Sequence, residues 1–241
     1  MIATYINFLT ILAGGGVGLY LGKKIPPDAN DSVLKTISLC VMFIAILGIG
    51  GAAGKLVSSD VLIVIISLFL GVVCGEAANI DAWFQRFGDA LEKRMKNVRG
   101  RVSEGFVAAT LIFCVGAMAI VGSLESGLNG KHDTLYAKSV IDGVTATILA
   151  SSLGAGVLFA AVPVLLYQGA ITLTAGVAKP FLTDTAILEM SIAGNILILA
   201  IGINMLGTVK IKVANLLPAL FFPVAIQTIL TLLGPVIAKL H

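Results

Sequence analysis

"SVIDGVTATILASSLGAG", residues 139–156, is made almost wholly of small and aliphatic residues, yet it carries an aspartate, Asp142, near its start. Whether that carboxylate is unremarkable or costly depends on the solvent around the helix, and the composition identifies that solvent. Of 241 residues, 58% are hydrophobic and only 12% are charged, whereas a water-soluble domain carries roughly 25% charged residues. So few charges cannot clothe a soluble globule of this length. The sequence is built for the lipid bilayer. Nucleic-acid binding needs a basic face on a folded domain, and a net charge of +3 supplies none.

A helix crosses the hydrocarbon core with ~20 mostly apolar residues. Eight such stretches occur, at 2–22, 33–54, 58–77, 104–124, 134–152, 155–177, 188–207 and 213–236. The first has no basic residues ahead of its apolar run and so reads as a span rather than a cleaved signal. Only "SSLGAG" divides the fifth from the sixth, and Pro218, Pro223 and Pro235 make the eighth kinked or broken. The expected fold is an all-α polytopic integral membrane protein, a single membrane domain over 1–241.

The long polar break is 78–103, which contains Arg86, Lys93, Arg94, Lys96, Arg99 and Arg101. Lys and Arg concentrate in cytoplasmic loops, which puts this segment inside. Alternating outward from it leaves eleven Lys and Arg inside and five outside, with both termini outside. Trp83, Phe84, Phe87, Leu91 and Met95 recur every three or four residues within the loop. That spacing predicts an amphipathic helix lying on the membrane surface.

An internal echo bears on function. "TILAGGGVGLYLG" at 10–22 aligns with "TLIFCVGAMAIVG" at 110–122, matching Thr10, Gly16 and Gly22 to Thr110, Gly116 and Gly122. Three spans over 2–77 would then be repeated upside down in 104–190, with "PFLTDTAILEM" at 180–190 as counterpart of the surface helix. The last two spans, within 191–241, would be additions. Inverted repeats mark secondary transporters, which bind substrate near the midplane at the repeat interface.

Asp142 lies ~12 Å into its span at 1.5 Å per residue, where a charged carboxylate costs roughly 2.5–3.5 kcal/mol on insertion scales. Ser139, Asp142, Thr145 and Ser152 share one helical face, which must turn to the protein interior or to water. Lys138 is four residues from Asp142, so a structural ion pair competes with an ion or proton site as the reading of this carboxylate. In "VLFAAVPVLLYQGAITLTAG", Pro163 and Gly169 flank Tyr167 and Gln168, with Thr172 one turn beyond. A Pro- and Gly-interrupted span beside polar side chains points to a discontinuous binding helix; an interhelical clamp through Gln168 is the competing account. Glu76 closes the third span near the cytoplasmic interface, where a solvated or Lys-paired terminal carboxylate is the plainer reading and a ligand role the other. Asn195, Asn204 and Asn215 read as interhelical hydrogen-bonding groups, with Asn195 retained as a weaker ligand candidate.

Gly14, Gly18 and Gly22, and Gly71 with Gly75, stand at GxxxG spacing, which lets helices approach closely and suits a homodimer. Cys40, Cys74 and Cys114 sit in apolar runs as small hydrophobes. His132 and His241 lie apart from any Cys or carboxylate cluster, so no metal site is expected. No nucleophile–base pairing emerges either, and neither an enzyme nor a cofactor is expected.

"FCVGAMAIVG", "LYAKSVIDGVTATILASSLGAGVLFAAVPVLLYQG" and "NLLPAL" resemble the bacterial YqgA/YdfK-like membrane proteins, the domain-of-unknown-function 554 family, over essentially the whole chain. The resemblance implies a multi-pass protein of the bacterial inner membrane, sometimes described as a transporter, with no settled substrate. Its shared motif includes positions matching Asp142, Tyr167, Gln168, Gly169 and the Gly75–Glu76 pair, and gives them no chemistry. The expectation is therefore a transporter of a small solute or ion, with proton or cation coupling through Asp142 as its finer form and membrane lipids around it. A scaffold or regulator acting through the basic loop is the alternative, and an oligomeric channel the third. A carrier needs a polar cavity around Asp142 and Gln168; a scaffold would lock the two together in a dry core.

Overall fold

A computed structural model describes residues 1–94 and 102–237. Among them every regular element is helical: α1 (Ile2–Gly22), α2 (Pro27–Ala53), α3 (Ser58–Ala78), α4 (Ile80–Arg94), α5 (Val102–Cys114), α6 (Ala117–Asn129), α7 (Asp133–Leu153), α8 (Gly156–Phe159), α9 (Ala161–Leu173), α10 (Ala175–Ala178), α11 (Asp184–Met205), a 3-10 segment (Val213–Leu220) and α12 (Phe222–Ile237). Six stretches are long and apolar enough to cross a membrane: α1, most of α2, α3, α8 with α9, α11, and Val213–Leu232. The α5–α6 pair would make a seventh if it is one bent span. The chain is an all-α, multi-pass membrane protein. Its outer surface agrees, since Phe43, Leu47, Ile66, Phe69 and Leu166 are exposed, as lipid-facing side chains should be.

The sixth span is interrupted just before Pro163, between α8 and α9, rather than at the proline itself. α9 runs unbroken through Pro163, Gln168 and Gly169, because Pro163 occupies its first turn, where a backbone N–H has no intrahelical partner to lose. The chain turns just before it, at Ala160. The sharp interruption belongs to the fourth span instead: α5 and α6 meet at 58°. Gly116 sits at the corner with φ +119°, a conformation that L side chains rarely adopt.

Two surface elements also separate. The amphipathic helix forms as α4, with Trp83 exposed and Phe84 packed on Phe106 at 5.7 Å between ring centroids. Met95, Lys96, Arg99, Arg101, Lys239 and His241, and the side chains of Phe87, Leu91, Lys93, Arg94 and Pro235, lie outside the described residues. The proposed counterpart at 180–190 is not a surface helix. From Asp184 onward it is the opening of α11, the most enclosed of the six crossing stretches.

Glycine contacts fix the direction of the main helix pairs. A Cβ on Gly14 would strike the carbonyl oxygen of Gly143, one on Gly18 that of Thr147, and one on Gly22 that of Ser151. Residue numbers rise together, so α1 and α7 run parallel, backbone against backbone. Gly48 abuts Asn195 and Gly202 abuts Met42, so α2 and α11 run antiparallel. Gly71 against Ala219 and Gly75 against Asn215 set α3 antiparallel to the 3-10 segment. The GxxxG faces that suited a homodimer are thus occupied within the chain. α2 packs principally on α11, so the 3+3 units read from sequence do not organise the principal pairs. Leu111, Phe113, Leu149, Leu153, Val157, Val164 and Leu197 fill the core between them.

Candidate functional site

α1 lies against both α7 and α9, and where the three meet they bury a polar cluster. Asp142 and Lys138 come from α7, Gln168 from α9, and Asn7 from α1; none is more than 5% exposed. Spacing explains the first contact: four residues along a helix place Lys138 and Asp142 one above the other. The Lys138 ammonium donates to Asp142 Oδ2, forming a buried ion pair. Asn7 Nδ2 donates to the same oxygen at 2.9 Å and to Gln168 Oε1 at 3.2 Å.

The carboxylate fixes the amides around it. Asn7 must turn its nitrogen to Asp142, because its oxygen would be repelled there, and Gln168 must then present its own oxygen to Asn7. That order leaves Asn7 Oδ1 and Gln168 Nε2 pointing away, one an acceptor and one a donor, both buried without a partner. Thr4, one turn before Asn7, and Thr172, one turn after Gln168, also bury hydroxyls that lack partners. Buried polar groups are nearly always satisfied, so four such atoms on two touching helices form an unmet demand for hydrogen bonds.

The remaining candidates are spread out. Tyr167 and Gly169 sit beside Gln168 on α9, but Tyr167 faces an apolar groove of about 580 Å³ with Ile171, Met190 and Val224. A Cβ on Gly169 would meet only Met1 Cε at an ordinary 3.6 Å, so close packing does not demand glycine there. Pro163 lies in the first turn of α9 and lines neither of the two cavities. Asn195 donates to the Ser191 carbonyl at 2.7 Å and fills the gap over Gly48. Glu76 pairs with Lys212 at 3.0 Å, both about half exposed, at the other end of the bundle. That end holds a cavity of about 670 Å³ lined by Asp81, Gln85, Glu104, Asn204, Lys210 and Lys212 among others. Asn204 exchanges two hydrogen bonds with the backbone of Ile211, and Asn215 Oδ1 accepts from the Asp81 N–H at the start of α4. Neither cavity is lined by Asp142 or Gln168. Among the described residues no group of His, Cys, Asp and Glu is arranged to hold a metal.

The member of the cluster that sequence reasoning missed is Asn7. Its one signal was an amide within the first apolar span, and nothing local tied it to residues 135 and 161 positions away.

Residues 2–228 match the family model described as "Protein of unknown function (DUF554)". The chain belongs to that family. Within it, the chain is 32% identical over 224 residues to the "Uncharacterized membrane protein YdfK" of Bacillus subtilis (strain 168), covering 92% of this chain and 94% of that protein. It is 28% identical over 221 residues to the "Uncharacterized protein YqgA" of Escherichia coli (strain K12), covering 91% and 93%. No solved structure matches.

Proposed function

We propose that this DUF554 protein is a carrier, not an enzyme, that moves a small polar solute past the Asn7–Asp142–Lys138–Gln168 cluster. The observation that carries the reading is the set of unpartnered buried atoms on Thr4, Asn7, Gln168 and Thr172 beside a buried ion pair. Intramembrane ionisable and polar groups that face the protein interior mark substrate paths. A solute with both a donor and an acceptor would satisfy Asn7 Oδ1 and Gln168 Nε2 together. The cluster is closed in this conformation, so passage requires α1 and α7 to move apart or slide along their glycine seam.

Helix direction supports eight crossings. For α1 and α7 to run parallel, the bent α5–α6 pair between them must complete one crossing. α7, at 21 residues, then crosses alongside α1, and α11 comes out antiparallel to α2. In this reading the basic loop 78–103 and the 670 Å³ cavity face the cytoplasm of a bacterial inner-membrane protein. The scaffold alternative draws on two observations: Asp142 and Gln168 are both bonded to Asn7, and neither of the two cavities is lined by them.

Thermal unfolding of the purified protein in lipid nanodiscs, screened against amino acids, sugars, nucleosides and monovalent cations, separates the two. A ligand at 100 times its Kd stabilises the folded form by about 2.7 kcal/mol. A solute-specific rise in the wild type that is absent in Gln168→Met supports the carrier. No rise with any compound, together with a Gln168→Met protein less stable than wild type, makes the cluster a clamp and the protein a scaffold.

A further inference from the structure

A second carboxylate lies inside the bundle, away from the cluster. Glu189 is on α11, ~7.5 Å past the helix start at 1.5 Å per residue, and is fully buried. One oxygen, Oε1, accepts from Gln227 Nε2 of α12 at 2.8 Å; the other, Oε2, is buried with no partner among the described residues. No Lys or Arg among the described residues forms an ion pair with it.

The surrounding charges do not compensate it. Asp60, at the start of α3, and Asp184, exposed at the start of α11, are both acidic. Lys55, in the loop before α3, is exposed to solvent. α12 and the 3-10 segment contain no charged residue. On α2, Asp28, Asp31 and Lys35 lie at the opposite end, since α2 and α11 run antiparallel. On α5, Glu104 is also distant from this end, and Glu125 on α6 is bonded by Thr134 at 2.7 Å.

An ionised carboxylate cannot stay in such a place without a compensating positive charge. Asp142 has that charge in Lys138; among the described residues Glu189 has none. A hard metal ion gathers a shell of several oxygens, whereas Gln227 turns a nitrogen to this carboxylate and leaves a single oxygen free. One free oxygen suits one proton. We propose that Glu189 is a proton-binding site, occupied by a proton in the conformation described here, and that Asp142 is not. Resting on the carrier reading, Glu189 is then the coupling group: losing its proton places an uncompensated charge between α11 and α12 and drives them apart. The proton site itself stands without that reading.

Infrared spectroscopy of the whole chain in lipid nanodiscs tests it through the C=O stretching band of a protonated carboxyl group. At neutral pH the wild type should show this band, Glu189→Gln should lose it, and Asp142→Asn should keep it. Should Glu189→Gln fail to fold, Gln227→Leu replaces it: removing the one hydrogen bond to the carboxyl should shift the band to higher frequency. A wild type without the band at neutral pH, a band that survives Glu189→Gln, or a frequency unmoved by Gln227→Leu overturns the proposal. A solute screen that fails while the band behaves as expected removes the carrier reading and leaves the proton site.

Discussion

Replacing Asp142 by Asn should destabilise the protein more than removing the whole ion pair does. Lys138 and Asp142 side chains are each 6% exposed, so Asp142→Asn strands an ammonium in a site with little water. Breaking a buried pair by removing one partner costs about 3–5 kcal/mol, while replacing both partners by neutral groups of similar volume is often near neutral. For a chain of this size that single loss corresponds to a fall of order 10 °C in the unfolding midpoint. Asp142→Asn is the mildest possible change sterically, because the introduced amide can still accept from Asn7 and only the charge is lost. Lys138→Met/Asp142→Asn removes both charges and keeps the volume. Unfolding midpoints of wild type, both single variants and the double variant in one detergent complete a thermodynamic cycle. The expected coupling is well above the ~0.5 kcal/mol within which independent sites add. Additive single effects, or an Asp142→Asn protein as stable as wild type, would refute the reading of Lys138 and Asp142 as a buried pair whose charges compensate each other.

Two further outcomes follow from the packing and the loop charges. Gly18→Ala should destabilise by about 1–3 kcal/mol through overpacking, because its Cβ would meet the Thr147 backbone and Ala150. Gly16→Ala, which meets nothing within 4 Å, should stabilise by up to about 1 kcal/mol through helix propensity; effects of equal sign in a melting assay contradict the seam. For sidedness, an impermeant maleimide should label Lys131→Cys in intact spheroplasts, and Ala90→Cys only after permeabilisation, each in a background lacking Cys40, Cys74 and Cys114. The reverse pattern turns the topology over.

Much of the architecture was legible because the bilayer imposes a length and a composition on every crossing. α1 and α3 end within a residue of the stretches read from sequence, and the glycine triplet proved to be a packing face. What could not be read was which face meets which partner. GxxxG states that something approaches closely, and here it is α7 rather than a second copy. The sixth span breaks just before Pro163 rather than at it, because a proline reads alike in mid-helix or in a first turn, and Gly116 gives no sign in sequence of its positive φ. Lys138 was visible as a partner for Asp142 through helical spacing. Asn7 and Glu189 were not visible as site residues, since burial and long-range pairing decide their roles and neither is local.

The parallel seam between α1 and α7 also constrains how the chain can be assembled. Gly143 follows Gly14 by 129 residues, and at synthesis rates of ~5–20 residues per second the first helix waits on the order of ten seconds for its neighbour. During that interval Asn7 and a strip of bare glycine backbone face lipid. α7, for its part, carries a lysine and an aspartate that make it a poor candidate to partition into lipid unaided. The helix made first is the surface on which the reluctant one can be received. Each thus supplies what the other lacks: α1 brings the bare glycine surface and the amide, α7 the backbone and the carboxylate that meet them.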